Sequence, residues 1–93
     1  MQFEWNETKA ESNLKKHGVS FAEAKTVFGD PLARIFDDDE HSKVEKRNGI
    51  FGRSSLNRLL LVSFTEREND IIRIISVRET TAKERRKYEN ENG

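Results

Sequence analysis

The sequence predicts a small α+β domain, an antiparallel sheet of about four strands with N-terminal helices and a C-terminal helix. Three observations predict it. Capped segments with helical apolar spacing fill the first third, alternating or continuous apolar runs parted by turn residues follow, and a polar, helix-forming stretch closes the chain. Ninety-three residues allow one domain, 1–93.

Phe3-Glu4-Trp5 alternates apolar and polar side chains and predicts a short leading strand. Asn6 or Thr8 caps a helix to about His17, which Gly18 ends. Only Ala10 and Leu14 give it an apolar pair, so it belongs on the surface. Ser20, with Glu23 three residues on, predicts a capping box for a second helix whose stripe is Phe21, Ala24, Val27 and Phe28. Gly29-Asp30-Pro31 stops it. Leu32, Ile35 and Phe36 predict a strand, followed by an acidic loop over 37–42. Further strands are expected at about 44–53, 58–66 and 71–78, with turns at Asn57-Arg58 and Glu68-Asn69-Asp70. The continuous run Leu59-Leu60-Leu61-Val62 marks the central strand. Thr80 or Thr81 caps a last helix, Ala82 to about Glu91. The helices are expected on one side of the sheet.

Composition narrows the function classes. There are no cysteines, which excludes disulfides and Cys-ligated zinc. No apolar run is long enough to span a membrane and no basic-then-apolar leader is seen, so a cytoplasmic protein is the expectation. Gly-rich phosphate loops, nucleophile elbows and zinc-protease signatures are absent, and no cofactor is expected. The acidic loop, ending in His41, lacks EF-hand spacing, and no metal site is expected. No helix-turn-helix signature supports direct DNA binding.

The 17 basic and 17 acidic residues balance, but unevenly along the chain. Residues 1–42 carry a net −4 and residues 43–93 a net +4. The second half holds eight arginines, whose planar forks suit phosphates. A polyanion partner fits this half, and so does an ordinary solvated surface. On the strand expected at 44–53, Glu45, Arg47, Gly49, Phe51 and Arg53 share a face, about 7 Å between neighbours. Glu45 beside Arg47 offers either a base next to a phosphate clamp or a simple salt bridge. On the last strand, alternation puts Arg73 with Ile71, Ile75 and Val77, and Arg78 with Ile72 and Ile74. An arginine on an apolar face must be paired, with Glu45 or Glu66 for example, or belong to a converging cluster. Lys16 and His17 either complement a helix C-terminus or face the sheet to hold a phosphate and move a proton.

Phe3-Glu4-Trp5-Asn6, Lys9-Ala10 and the block Asn13-Leu14-Lys15-Lys16-His17-Gly18-Val19-Ser20-Phe21 resemble the opening of the BrnT family. The likeness continues through Val27-Phe28-Gly29-Asp30-Pro31-Leu32, Asp39-Glu40-His41-Ser42, Glu45, Arg47 and Gly52-Arg53-Ser54. It ends with Thr65-Glu66-Arg67, Ile72-Arg73-Ile74-Ile75-Ser76-Val77-Arg78 and Tyr88-Glu89. Lys46 stands where members often carry a second acid, and Val77 where many have alanine.

The resemblance implies a RelE-like ribonuclease toxin of a type II toxin–antitoxin pair, metal-independent, that inhibits growth by cleaving RNA. Its implied partners are RNA and a DNA-binding BrnA-like antitoxin that represses the operon with it, so DNA is met only through the antitoxin. The 2′-hydroxyl would attack phosphorus and leave a cyclic phosphate. On this reading Lys16, His17, Glu45, Arg47 and Arg73 form the catalytic set, with His17 or Glu45 as base. Arg53, Arg67, Arg78 and Tyr88 bind the RNA. The alternative is a non-catalytic toxin-fold module acting as co-repressor with its antitoxin.

Overall fold

A computed structural model describes residues 1–41, 43 and 45–92, with side chains through residue 90. Ser42 and Val44, the end of the acidic loop and the start of the expected third strand, lie outside the described residues.

Five strands form one sheet: β1 Gln2–Glu4, β2 Arg34–Asp37, β3 Asn48–Arg53, β4 Leu59–Arg67 and β5 Ile71–Glu79. Their order is β1-β5-β4-β3-β2, so the apolar run of β4 is central as expected. The pairs β2–β3, β3–β4 and β4–β5 are antiparallel, while β1 joins β5 in parallel. The expected strand at 44–53 is shorter: Glu45 and Arg47 precede β3 rather than share its ladder.

Two helices cover one face. In α1 (Glu7–His17), the Asn6 side chain accepts the Lys9 amide at 3.0 Å and Gly18 closes the helix at φ 69°. In α2 (Phe21–Thr26), Ser20 Oγ accepts the Glu23 amide at 3.0 Å. The expected capping box is only half made there, because the Glu23 carboxylate turns away to accept from Ser54 Oγ at 2.6 Å and Arg58 Nε at 3.0 Å. Both partners hold its carboxyl below the usual carboxylate range, Arg58 most strongly, against the opposing pull of burial. The main core lies between these helices and the sheet, built on Val19, Phe21, Ala24 and Val27 against Ile50, Val62, Phe64 and Ile74. Phe28 joins the layers, edge-on to Phe3 at 5.1 Å and to Phe64 at 5.0 Å.

Asn13 extends the sheet with a side chain. β1 pairs only as far as Arg73 on β5. Beyond it the buried Asn13 amide donates to the Val77 carbonyl at 2.8 Å, and its oxygen accepts from the Val77 N–H at 3.1 Å. The same nitrogen donates to the Val19 carbonyl at 3.1 Å. One carboxamide thus does beyond the end of β1 what a strand backbone would do.

The third helix, α3 (Ala82–Asn92), departs from the expected one-sided arrangement. Register places Phe51, Leu61 and Arg78 on the face opposite α1 and α2, and α3 residues Glu84, Lys87 and Tyr88 enclose a hollow of about 520 Å³ with Phe51 and Leu61. A capping box is complete here: Thr81 Oγ1 accepts the Glu84 amide at 3.2 Å, and Glu84 accepts the Thr81 amide at 2.8 Å.

Candidate active site

The uncovered half of the sheet face opposite α1 and α2 holds a hollow of about 700 Å³. Strand parity decides what reaches it. Thr65 on β4 lies opposite Arg73 on β5, and Arg67 opposite Ile71, all on this open face. Ser63 pairs with Ser76 but Phe64 pairs with Ile74, so Ile75 is an extra residue, a β-bulge. The bulge reverses the alternation expected for β5. Val77 falls on the core face opposite Val62, and Arg78 falls on the open face with Arg73.

The hollow is lined by Arg67 and Thr65 from β4, Arg73 and Ile75 from β5, and Glu45 and Arg47 from the segment before β3. Glu40, His41 and Lys43 close one side and Lys9 of α1 another. Five cations thus meet two carboxylates and one histidine around a single cavity. Arg73 is paired, but not with Glu45 or Glu66. Its Nη1 sits 2.6 Å from Glu4 Oε2, its register neighbour on β1. The same oxygen lies 3.7 Å from Arg67 Nε, and Arg67 Nη2 donates to Glu45 Oε2 at 3.3 Å. Glu4 and Glu45 therefore fix two guanidiniums side by side. Each guanidinium has five N–H donors, and these pairs occupy only some of them.

Two further groups in the hollow are poised. Thr65 is only 2% exposed, and its hydroxyl has no hydrogen-bond partner among the described residues, an arrangement that costs stability unless a ligand supplies one. His41 Nδ1 is 3.0 Å from both oxygens of Asp38. The turn carrying them is tied to the approach to β3 by the Asp38 amide, which donates to the Arg47 carbonyl at 2.9 Å.

Of the residues expected from sequence, Glu45, Arg47, Arg67 and Arg73 converge here. Lys16 and His17 do not. They are exposed at the end of α1, which Arg58 Nη2 ties to the β3–β4 hairpin through the Gly18 carbonyl at 3.2 Å. Thr65 is seven residues farther along the chain from Arg58, roughly 20 Å on a strand. Arg53 lies on the open face near that hairpin, opposite Leu59. Arg78 is engaged by Glu84 through two bonds of 2.8 and 2.9 Å. Tyr88 is buried, its hydroxyl donating to Asp30 at 3.1 Å, so it anchors α3 instead of offering a free ring. Burial raises the Tyr88 phenol, and the Asp30 carboxylate raises it further.

Sequence reading missed Glu4, Thr65 and the Asp38–His41 pair as site residues. Thr65 shares strand parity with Arg67, a signal present in the sequence. Glu4 required knowing that β1 lies beside β5, which no local pattern encodes.

A family model described as "Ribonuclease toxin, BrnT, of type II toxin-antitoxin system" matches residues 5–84. The chain belongs to the BrnT family. Among solved structures, BrnT, the ribonuclease toxin of Brucella abortus, whose crystal structure is known at 1.1 Å, matches with a TM-score of 0.69 and 24% identity. The alignment covers 87% of this chain and 97% of that one, and shows that the two BrnT folds agree. No curated protein sequence matches.

Proposed function

We propose that this chain is an endoribonuclease toxin, RelE-like and metal-independent, whose active site is the arginine-lined hollow on the open face of the sheet. The observation that carries the reading is the convergence of Arg47, Arg67 and Arg73 from three separate segments on one cavity, in a chain of the BrnT family. Cleavage of an RNA linkage by its own 2′-hydroxyl builds negative charge on a five-coordinate phosphorus. Guanidiniums fixed beforehand by carboxylates stabilise that charge without reorganising during the reaction. Arg67 and Arg73 are held in this way by Glu4 and Glu45. Glu45, engaged by Arg67, acts as a positioning residue. Arg53, on the same face, extends the cationic surface toward the hairpin.

In the cell the toxin inhibits growth from the cytoplasm. A DNA-binding BrnA-like antitoxin neutralises it and, with it, represses their operon. The test is expression of the chain alone, with purified protein incubated with RNA in EDTA. Growth arrest, with fragments ending in 2′,3′-cyclic phosphate, is the expected result. Healthy growth with soluble protein and no RNA cleavage would instead support the alternative, a non-catalytic co-repressor module.

A further inference from the structure

We propose that His41, oriented by Asp38, is the general base that accepts the proton from the attacking 2′-hydroxyl, an assignment that rests on the ribonuclease reading above. The Asp38 carboxylate can only accept a hydrogen bond, so the contact to both its oxygens places the proton of the neutral imidazole on Nδ1. Nε2 then carries the lone pair. His41 lines the same hollow as Arg47, Arg67, Arg73 and Thr65, whose hydroxyl has no partner among the described residues. The base and the anion-stabilising cations thus line one space, and the orienting carboxylate contacts the base. His17, the other histidine, lies at the opposite end of the sheet from this hollow.

In the step itself Nε2 removes the 2′-hydroxyl proton as the 2′-oxygen bonds to phosphorus. The bond from phosphorus to the 5′-oxygen breaks, and that oxygen takes a proton from water at the open mouth of the hollow. The imidazolium then returns its proton to solvent, so nothing is oxidised or reduced and the histidine is regenerated.

The charges facing His41 come from every side. Its own turn supplies Asp38 and Glu40, and the following segment supplies Lys43 and Glu45. The sheet brings its arginines and α1 brings Lys9.

The test compares wild type, His41→Ala and Asp38→Asn on a labelled single-stranded oligoribonucleotide, with a fully 2′-deoxy oligonucleotide as a non-cleavable binding probe. Loss of a general base lowers kcat by about 10²–10⁴-fold. The His41→Ala protein is expected to show that loss, to bind the 2′-deoxy probe within about twofold of wild type, and to regain cleavage with added imidazole. The wild-type rate should rise with pH, and that rise should be lost in His41→Ala. Asp38→Asn should slow cleavage without abolishing the rise.

Wild-type cleavage matched within threefold by His41→Ala overturns the assignment and leaves the ribonuclease reading standing. So does a tenfold loss of probe binding in that variant, which would make His41 a phosphate contact. A wild-type protein that cleaves no RNA overturns both.

Discussion

Thr65 shows how a single side chain reports on a missing partner. A buried hydroxyl without a hydrogen bond destabilises the free protein, so Thr65→Val should leave stability unchanged or raise it by up to about 1 kcal/mol, checked by thermal melts. If the hydroxyl donates to an RNA phosphate, the same change lowers kcat/KM by at least about tenfold, because hydrogen bonds to charged groups are worth about 1.5–3 kcal/mol. Opposite it, Arg73 is about a third exposed and its partner Glu4 slightly more so, which limits what their pair adds to the fold. Arg73→Ala should therefore cost below about 1 kcal/mol in a denaturant melt while RNA cleavage and toxicity disappear. Asp30 illustrates the opposite state, complete satisfaction. Burial alone would raise its carboxyl, yet the Arg53 and Leu32 amides and the Tyr88 hydroxyl together bring it below the ordinary value.

Among the elements, α1 and α3 are the instructive pair. Both are poor in apolar residues, and each is fastened by polar side chains at one or two points. For α1 the fastening is Asn13. Asn13→Ala would orphan the Val77 amide and carbonyl, and should lower stability by about 2–3 kcal/mol in a denaturant melt, the range for buried polar groups left unpaired. For α3 it is Glu84, which Arg78 pulls down to about 2 from its ordinary 4.5, despite opposing desolvation. A carboxyl depressed in the folded state contributes stability above pH 4.5, and the contribution fades as pH falls toward 2. Circular dichroism should show α3 loosening across that window, and Glu84→Gln should flatten the dependence. Caps, turns and the central strand were legible in the sequence because their signals are local: Asn6, Gly18, Ser20, and the run Leu59 to Val62. The side of the sheet that α3 occupies was not, because an almost wholly polar helix has no stripe to point with. It is placed by Arg78, six residues before Glu84, and by Asp30, 58 residues from Tyr88, and neither pairing follows from a local pattern.

At the scale of the molecule, neutrality conceals separation. Five cations converge on one hollow with only Glu40 and Glu45 in its lining and Glu4 paired to two of its arginines. Single-stranded RNA binding that engages Arg47, Arg67 and Arg73 should weaken with salt, log Kd changing with log salt by about 2, or 0.7 per phosphate neutralised. A titration of binding against salt checks it, and Arg73→Ala should reduce the slope by about one such increment. The arginine surplus in the second half of the chain was legible as a preference for polyanions. Which arginines meet was legible only in part, since Arg47, Arg67 and Arg73 come together through strand pairing and a bulge. Parity counted along β5 without the bulge placed Arg73 and Arg78 on opposite faces. His17 lies outside the hollow, because the end of α1 is held beside the hairpin.

Ile75 makes the two halves of β5 depend on an odd count. Removing that one isoleucine would restore plain alternation, and everything beyond it would have to change sides: Val77 would be driven out of the apolar interior, or Arg73 into it. A strand whose two surfaces serve different purposes can absorb changes of residue type far more readily than a change of length. Insertions or deletions within β5 should therefore abolish folding.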